Sequence, residues 1–306
     1  MLLTDKPQKS GAGYFVAGIL VLLILFGAAY FLKAPDIDEY GCQVEGPLGK
    51  TVVILDTSDP LNNNQRAALD SFLKSLVTPP QGSQTPVREW SPYVEQNELL
   101  VAYEIGDLSD APTQQFKMCN PGHPADRSWI DNLTQGETLA RFQWLDFDQK
   151  LKKAFPESIT GKELPTSPII ETLDYVNKRE FGNRTHLMGS NKSVGTIVII
   201  SDMLQNTPSC SHYRSCRTVS EKTDDKQAPK EGGKSGYFKC EQSNTCGSPK
   251  NAYGLYAGVD LTGLNIVIKY LQVDRYRKLQ GDEHIVWWRK FFSIAGAPLS
   301  IPPESW

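Results

Sequence analysis

The chain has 306 residues, of which 40% are hydrophobic, and this is enough apolar material for one large domain or two modest ones. Its formal net charge is −3, and no long run of Lys or Arg occurs. A general nucleic-acid binder needs a clustered basic surface. The composition therefore excludes that class, and no nucleic-acid partner is expected.

The first element along the chain is an uncharged apolar run at residues 14–32. As a helix it crosses about 30 Å of hydrocarbon, and it is longer than the apolar centre of a cleaved signal peptide, which spans about 7–15 residues. Two lysines precede the run and one follows it. This bias predicts a single-pass anchor in the inner (cytoplasmic) membrane. Residues 1–13 would form a cytoplasmic tail, and the C-terminal part would lie in the periplasm or outside the cell.

The next stretch leads into the first strands. Residues 33–49 contain Pro, Gly and acidic residues and are predicted to be a linker. The β-branched run 51–55 predicts a strand buried on both faces. Asn62 is a good N-cap for the helical pattern that follows it. A second strand is predicted at 99–105, and residues 107–137 are predicted to be a long loop.

The second half of the chain alternates helices and strands. One helix is predicted at 139–155, and another begins after the Thr-Ser-Pro sequence at 166–168, where the hydroxyls are potential caps. Strands are predicted at 196–200 and 264–271. Residues 297–306 are predicted to be a C-terminal tail.

The last helix is predicted at 283–295, with Trp287, Phe291 and Ile294 on one face. This face is expected to cover the sheet rather than to bind a partner. Strands that alternate with helices predict an α/β fold with a doubly wound, mostly parallel sheet, here over residues 50–296.

Six cysteines occur in the chain, at Cys42, Cys119, Cys210, Cys216, Cys240 and Cys246. An even count in an exported domain indicates disulfides, whose pairing the sequence does not fix. The last four form two pairs with five intervening residues inside a polar insertion at 207–250. Structural zinc pairs usually have about 2–4 intervening residues, so disulfides are favoured over zinc. Free buried cysteines are a third alternative, which suits Cys42 or Cys119 better than the cluster.

Two buried strands end in an Asp beside hydroxyl groups. Asp56 and Ser58 follow the first strand, and Ser201 and Asp202 follow the strand at 196–200. Ligands bind open α/β sheets at the carboxyl ends of the strands. Carboxylates and hydroxyls suit a hard divalent cation, so Mg²⁺ or Mn²⁺ is the predicted cofactor.

This order of residues resembles the von Willebrand factor A (VWA) family, which carries an Asp-x-Ser-x-Ser loop, a distant Thr and a distant Asp in a metal-ion-dependent adhesion site. The resemblance implies that the first and fourth strands are neighbours. The metal ligands that it implies are Asp56, Ser58, Thr166 or Ser167, and Asp202. The second loop Ser of the family falls at Pro60, so the site is either degraded or uses another ligand, such as Asp59.

Two functions follow from these patterns. The first is a membrane-anchored VWA-like interaction module, part of a bacterial envelope complex, which docks a protein partner at the carboxyl edge of the sheet. The insertion at 207–250 would then form a rim of the docking face. The alternative is a metal-dependent hydrolase that uses Asp56 and Asp202, although no general base stands out. Helix capping is the simplest alternative for both Asp residues.

Overall fold

The computed structural model describes residues 19–23, 36–78, 92–124, 137–155, 164–182, 195–213, 249–255, 259–297, 299 and 304–305. In these parts of the chain, no helix is long and apolar enough to cross a membrane. Of the membrane span predicted at 14–32, only residues 19–23 are described, and these are helical and exposed. The rest of that prediction lies outside the described residues.

In the described parts of the chain, six strands form one mixed sheet in the order β3-β2-β1-β4-β5-β6. They are β1 (Lys50–Asp56), β2 (Leu99–Ile105), β3 (Thr113–Cys119), β4 (Gly195–Ser201), β5 (Leu264–Tyr270) and β6 (Glu304–Ser305). Every neighbouring pair is parallel except β2 and β3. β1 and β4 lie side by side, with Thr51 opposite Thr196. The predicted mostly parallel sheet and the predicted adjacency of the two motif strands are confirmed.

Helices cover both faces of this sheet. They are α1 (Asn63–Val77), α2 (Glu137–Ala154), α3 (Ile169–Phe181), α4 (Pro249–Leu255) and α5 (Asp282–Ile294). Successive side chains of β1 point to opposite faces, as the strand repeat requires. Val52 and Ile54 pack in the core with α3, α4 and α5, whereas Val53 and Leu55 pack with α1 and α2.

Two segments that were predicted to be irregular contribute strands. β3 lies within the predicted loop 107–137, and β6 lies within the predicted tail 297–306. The prediction failed for β3 because its first three residues, Thr113, Gln114 and Gln115, are polar and exposed. An edge strand with little burial lacks the apolar run by which β1 and β4 were recognised.

The segment predicted as a linker contacts the domain through several residues between Tyr40 and Leu48. The Asn97 side chain accepts a hydrogen bond from the Gln43 amide at 3.0 Å, and the Cys119 amide donates to the Tyr40 carbonyl at 2.9 Å. Cys42 forms a disulfide with Cys119, the last residue of β3. The free-cysteine alternative for these two residues was therefore wrong.

Helix ends and faces agree with the sequence in part. Asn62 caps α1, because its side chain accepts a hydrogen bond from the Gln65 amide and the Gln65 side chain accepts one from the Asn62 amide. Trp287 and Phe291 of α5 are buried, as predicted for a face that covers the sheet. Ile294 is 42% exposed instead, and Ala295 takes the buried position at the end of the helix.

Candidate functional site

Three segments of the chain contact the side chain of Asp56 at the carboxyl edge of the sheet. Asp56 is 3% exposed. Its Oδ1 accepts a hydrogen bond from the Ser58 amide at 3.0 Å. Its Oδ2 accepts hydrogen bonds from the Ser201 hydroxyl at 2.7 Å and from the Ser167 hydroxyl at 3.1 Å. The loop after β1, the end of β4 and the residue pair before α3 therefore meet at one carboxylate.

Ser167 is placed beside Asp56 by the backbone of the loop that follows β4. Ser167 and Asn206 exchange two backbone hydrogen bonds, both of 2.9 Å. Thr166, the alternative hydroxyl, instead donates to the Asp107 carboxylate and accepts from the Leu108 amide. Of the two hydroxyls that the sequence offered, Ser167 therefore contacts Asp56 and Thr166 does not.

The hydroxyls before α3 do not cap that helix. Pro168 occupies the cap position without a side-chain hydrogen bond. The Ile170 amide donates at 3.0 Å to Gln205, which follows β4. Capping also fails to explain the two Asp residues, because Asn62 caps α1 and the described residues 203–213 contain no helix.

Asp202 has one satisfied carboxylate oxygen and one unsatisfied oxygen. Its Oδ1 accepts a hydrogen bond from the Leu204 amide at 2.8 Å. Its Oδ2 is buried and has no hydrogen-bond partner among the described residues. The whole residue is only 4% exposed. Burial raises the pKa of Asp202 well above its usual value, and the negative charge of Asp56 raises that pKa further. An unpaired ionised carboxylate oxygen is costly to bury, and either a bound proton or a bound cation offsets that cost.

Charged and aromatic side chains form the rim of this site. The Arg275 guanidinium, in the 3₁₀ turn Asp274–Tyr276 after β5, pairs with the Asp59 carboxylate. The guanidinium also lies 4.7 Å from the centre of the Tyr276 ring, which in turn contacts the Tyr213 ring edge-on at 4.9 Å. Burial, and then the charge of Asp202, raise the pKa of the Tyr213 hydroxyl.

The described part of the Cys-rich insertion belongs to the domain. Thr207, Cys210 and His212 are each at most 2% exposed. Cys210 is disulfide-bonded. Tyr213 is the last described residue before the stretch 214–248. The insertion therefore leaves the described fold beside the acidic site.

A buried histidine cluster behind Asp202 was not foreseen from the sequence. Nε2 of His284 lies 3.1 Å from Nδ1 of His212. Nδ1 of His284 lies 2.6 Å from the Tyr270 hydroxyl. Trp288 donates its indole N–H at 2.9 Å to the carbonyl of Met203, whose φ is +59°. A positive φ is uncommon for such a residue. Contacts from α5 therefore hold the strained residue that directly follows Asp202.

The donor set at the carboxyl edge fits a hard cation only if water completes the coordination. Among the described residues, no group of three or more His, Cys, Asp or Glu side chains is suitably placed to hold a metal ion. The site offers two carboxylates and several hydroxyls. Mg²⁺ usually keeps several waters and binds one or two carboxylates, and the unsatisfied Oδ2 of Asp202 supplies a donor, so these residues fit that ion.

No protein-family model, curated protein or solved structure matches the chain. The functional inference therefore rests on the fold and on the chemistry of this site.

Replacing Asp202 with asparagine should stabilise the protein in the absence of divalent cations. The folded-state pKa of Asp202 is raised, so its ionised form lowers stability at every pH above the pKa in the unfolded chain. At pH 7 with a chelator, we expect Asp202→Asn to unfold at a higher urea concentration than the wild type.

Asp56→Asn is the matched control for this prediction. The Asp56 carboxylate accepts three hydrogen bonds, so its replacement should lower the urea midpoint. If the urea midpoint of Asp202→Asn falls as much as that of Asp56→Asn, Asp202 acts only as a structural hydrogen-bond acceptor.

Proposed function

We propose that the chain is a membrane-anchored, VWA-like interaction module that docks a protein partner at the carboxyl edge of its sheet through Mg²⁺ or Mn²⁺. The observation that carries this proposal is the buried Oδ2 of Asp202, which has no hydrogen-bond partner among the described residues. The negative charge of Asp56 acts on the same carboxyl group and raises its pKa. A bound cation would offset the cost of burying the ionised form of this carboxylate.

The architecture supports the family part of the proposal. The strand order β3-β2-β1-β4-β5-β6, with β3 antiparallel at one edge, brings the two motif strands together. The carboxyl ends of β1 and β4 therefore present Asp56 and Asp202 at one edge. The Ser58 amide and the Ser167 hydroxyl both donate hydrogen bonds to the Asp56 carboxylate, so both residues lie next to it.

The cation would be held by Asp56, Ser58, Ser167 and Asp202, directly or through water. When bound, it would offer a coordination position to an acidic group of the partner. Tyr213 and Arg275 border this position, and residues 214–248 of the insertion follow Tyr213 in the chain. These features make the carboxyl edge the proposed docking face.

The proposed cellular location rests on the apolar run at residues 14–32 and on the disulfide of the domain. Residues 14–32 would anchor the chain in the inner membrane, with the domain in the periplasm or outside the cell. The disulfide between Cys42 and Cys119 fits this placement, because disulfides persist in oxidising compartments. A partner in a membrane-associated complex follows from this anchor.

The hydrolase alternative gains no support from the contacts of the two Asp residues. Among the described residues, the carboxylates of Asp56 and Asp202 accept hydrogen bonds from serine hydroxyls and backbone amides. Metal-assisted hydrolysis also needs a positioned general base, and no His or Glu takes part in these hydrogen bonds.

Calorimetric titration of the detergent-solubilised full chain with MgCl₂ and MnCl₂ tests the proposal. We expect saturable binding at millimolar concentrations or below, and we expect Asp56→Ala to remove most of the affinity because it deletes a ligand and three hydrogen bonds. Asp174→Ala is a suitable control, since Asp174 pairs with Lys178 on the exposed side of α3.

Absence of heat with either ion in the wild type would show that the cation part of the proposal is wrong. The docking part is tested by crosslinking the anchored protein in its native membrane, followed by mass spectrometry. A partner whose recovery falls equally with Asp56→Ala and with a chelator supports the carboxyl edge as the docking face. Recovery that both treatments leave unchanged argues against it.

A further inference from the structure

The outer face of α5 carries two exposed aliphatic side chains. Val286 is 43% exposed and Ile294 is 42% exposed, whereas the tryptophans and phenylalanines of α5 are buried on the other side of the helix. Because Val286 and Ile294 are eight positions apart, they lie on the same side of α5, about 12 Å apart along its axis. The solvent face of a surface helix is usually polar, so this pair gives α5 a second apolar face.

Basic side chains surround the two aliphatic residues. Arg289 and Lys290 lie between Val286 and Ile294 on the same side of α5, and both are exposed. Lys250, which is also exposed, approaches the same surface from α4. In the described part of the chain, none of these three cations forms an ion pair. Their positive charges are therefore available to a bound molecule.

These side chains line an open groove between α4 and α5. The two helices pack together, and Tyr253 of α4 contacts the Phe291 ring of α5 edge-on at 6.4 Å. The groove has a volume of about 540 Å³, and Pro249 and Ser293 complete its described lining. No acidic residue is part of that lining. The groove is therefore positively charged, although the chain as a whole has a net charge of −3.

The groove is separate from the acidic site at the carboxyl edge of the sheet. The Gln280 side chain donates a hydrogen bond to the Asp202 carbonyl at 3.1 Å, which places the start of α5 at that edge. Past the other end of α5, the Leu261 amide donates to the Ala295 carbonyl at 2.7 Å, and β5 begins at Leu264. α5 therefore runs from the carboxyl edge towards the amino edge, and the groove extends along it in that direction.

We propose that this groove is a second docking surface, which binds an acidic amphipathic helix of a partner protein. Such a helix would place aliphatic residues against Val286 and Ile294, and acidic residues between them would pair with Arg289 and Lys290. An anionic membrane surface fits less well, because Asp282 is exposed on the same helix and the net charge of the chain is negative. This surface is additional to the docking face proposed above, and it requires no divalent cation.

Fluorescence anisotropy with the detergent-solubilised full chain tests this proposal. The probe is a labelled, alanine-based synthetic helix with two leucines about two turns apart and glutamates between them. We expect saturable binding that weakens as salt is added, since salt screens exposed charges. Arg289→Glu/Lys290→Glu should weaken binding about tenfold, because two attractive contacts become repulsive. Val286→Gln/Ile294→Gln keeps the charges and should weaken binding by a similar factor through the loss of apolar contact.

Lys152→Glu/Lys153→Glu is the matched control. It makes the same charge change at two neighbouring exposed residues of another helix, α2. It should leave the affinity for the probe unchanged, and so should replacing the glutamates of the probe with lysines abolish binding to the wild type. Thermal unfolding of each variant verifies that all of them fold.

The outcomes also separate this groove from the carboxyl edge. Asp56→Ala and a chelator should leave probe binding unchanged, and loss of binding with either would place the probe at the carboxyl edge instead. The proposal is overturned if the wild type does not bind the probe, or if the control weakens binding as much as Arg289→Glu/Lys290→Glu does. It is also overturned if short-chain phosphatidylglycerol binds in the groove and the probe does not, since the occupant is then a lipid.

Discussion

Replacing Cys42 and Cys119 with alanine should lower the free energy of unfolding by about 4 kcal/mol. The disulfide links residues that are 77 positions apart, so the unfolded chain without it gains a large loop entropy. Cys42 and Cys119 are also almost fully buried, at 2% and 1% exposed. Replacing their sulfur atoms therefore leaves a small packing defect, which lowers the stability further.

Urea denaturation of the double variant and of the wild type measures this effect. Each single variant should lose nearly as much as the double variant, because either change removes the same bond. A loss below about 1 kcal/mol in the double variant would mean that contacts such as that of Gln43 with Asn97 hold the segment without the disulfide.

Acidification from pH 7 to pH 4 should weaken the fold through the buried histidine pair. Burial lowers the pKa of His284 to about 4, and it lowers the pKa of His212 well below its usual value, with the charge of His284 adding to the effect. Since both values are lower in the folded state than in the unfolded chain, the unfolded chain binds more protons between about pH 4 and pH 6.5. Stability is therefore complete above this range and is lost as the pH falls through it.

The size of this loss follows from the shift of His284. A fall to about 4 from the usual 6.5 corresponds to about 3 kcal/mol at pH 4. Asp202 acts in the opposite direction, because protonation relieves its burial cost, so the histidine contribution must be isolated with a variant.

His284→Gln is suited to this purpose, since an amide is able to hydrogen-bond with the Tyr270 hydroxyl in place of the ring nitrogen. We expect its stability to fall less between pH 7 and pH 4 than that of the wild type, as measured by urea denaturation at several pH values. Parallel pH curves for the two proteins would exclude His284 as the source of the acid sensitivity.

The sequence was sufficient to place β1 and β4 because both are β-branched apolar runs, a pattern that burial on both faces produces. It was insufficient for β3, whose exposed Gln114 and Gln115 give no alternating pattern. Likewise, the packing of residues 36–49 depends on Cys119 and Asn97, which lie far along the chain. Local composition alone cannot indicate such contacts.

In the site, too, local sequence patterns predicted some residues, whereas others depend on contacts between distant parts of the chain. Asp56, Ser58 and Asp202 were found from their positions after strands, which is local information. The choice between Thr166 and Ser167 depends on backbone pairing with Asn206, to which no sequence pattern points. The contacts between Arg275 and Asp59, 216 positions apart, and between His212 and His284, 72 positions apart, arise only from the fold.

The bond between Cys42 and Cys119 also determines how the domain would carry a mechanical load. A pull that arrives from the chain upstream of Cys42 is divided there between two covalent routes. One route runs through residues 43–49 into β1, and the other passes directly to the end of β3 at the edge of the sheet. With both routes intact, β1 does not bear the tension alone, and less strain reaches the acidic site at its far end.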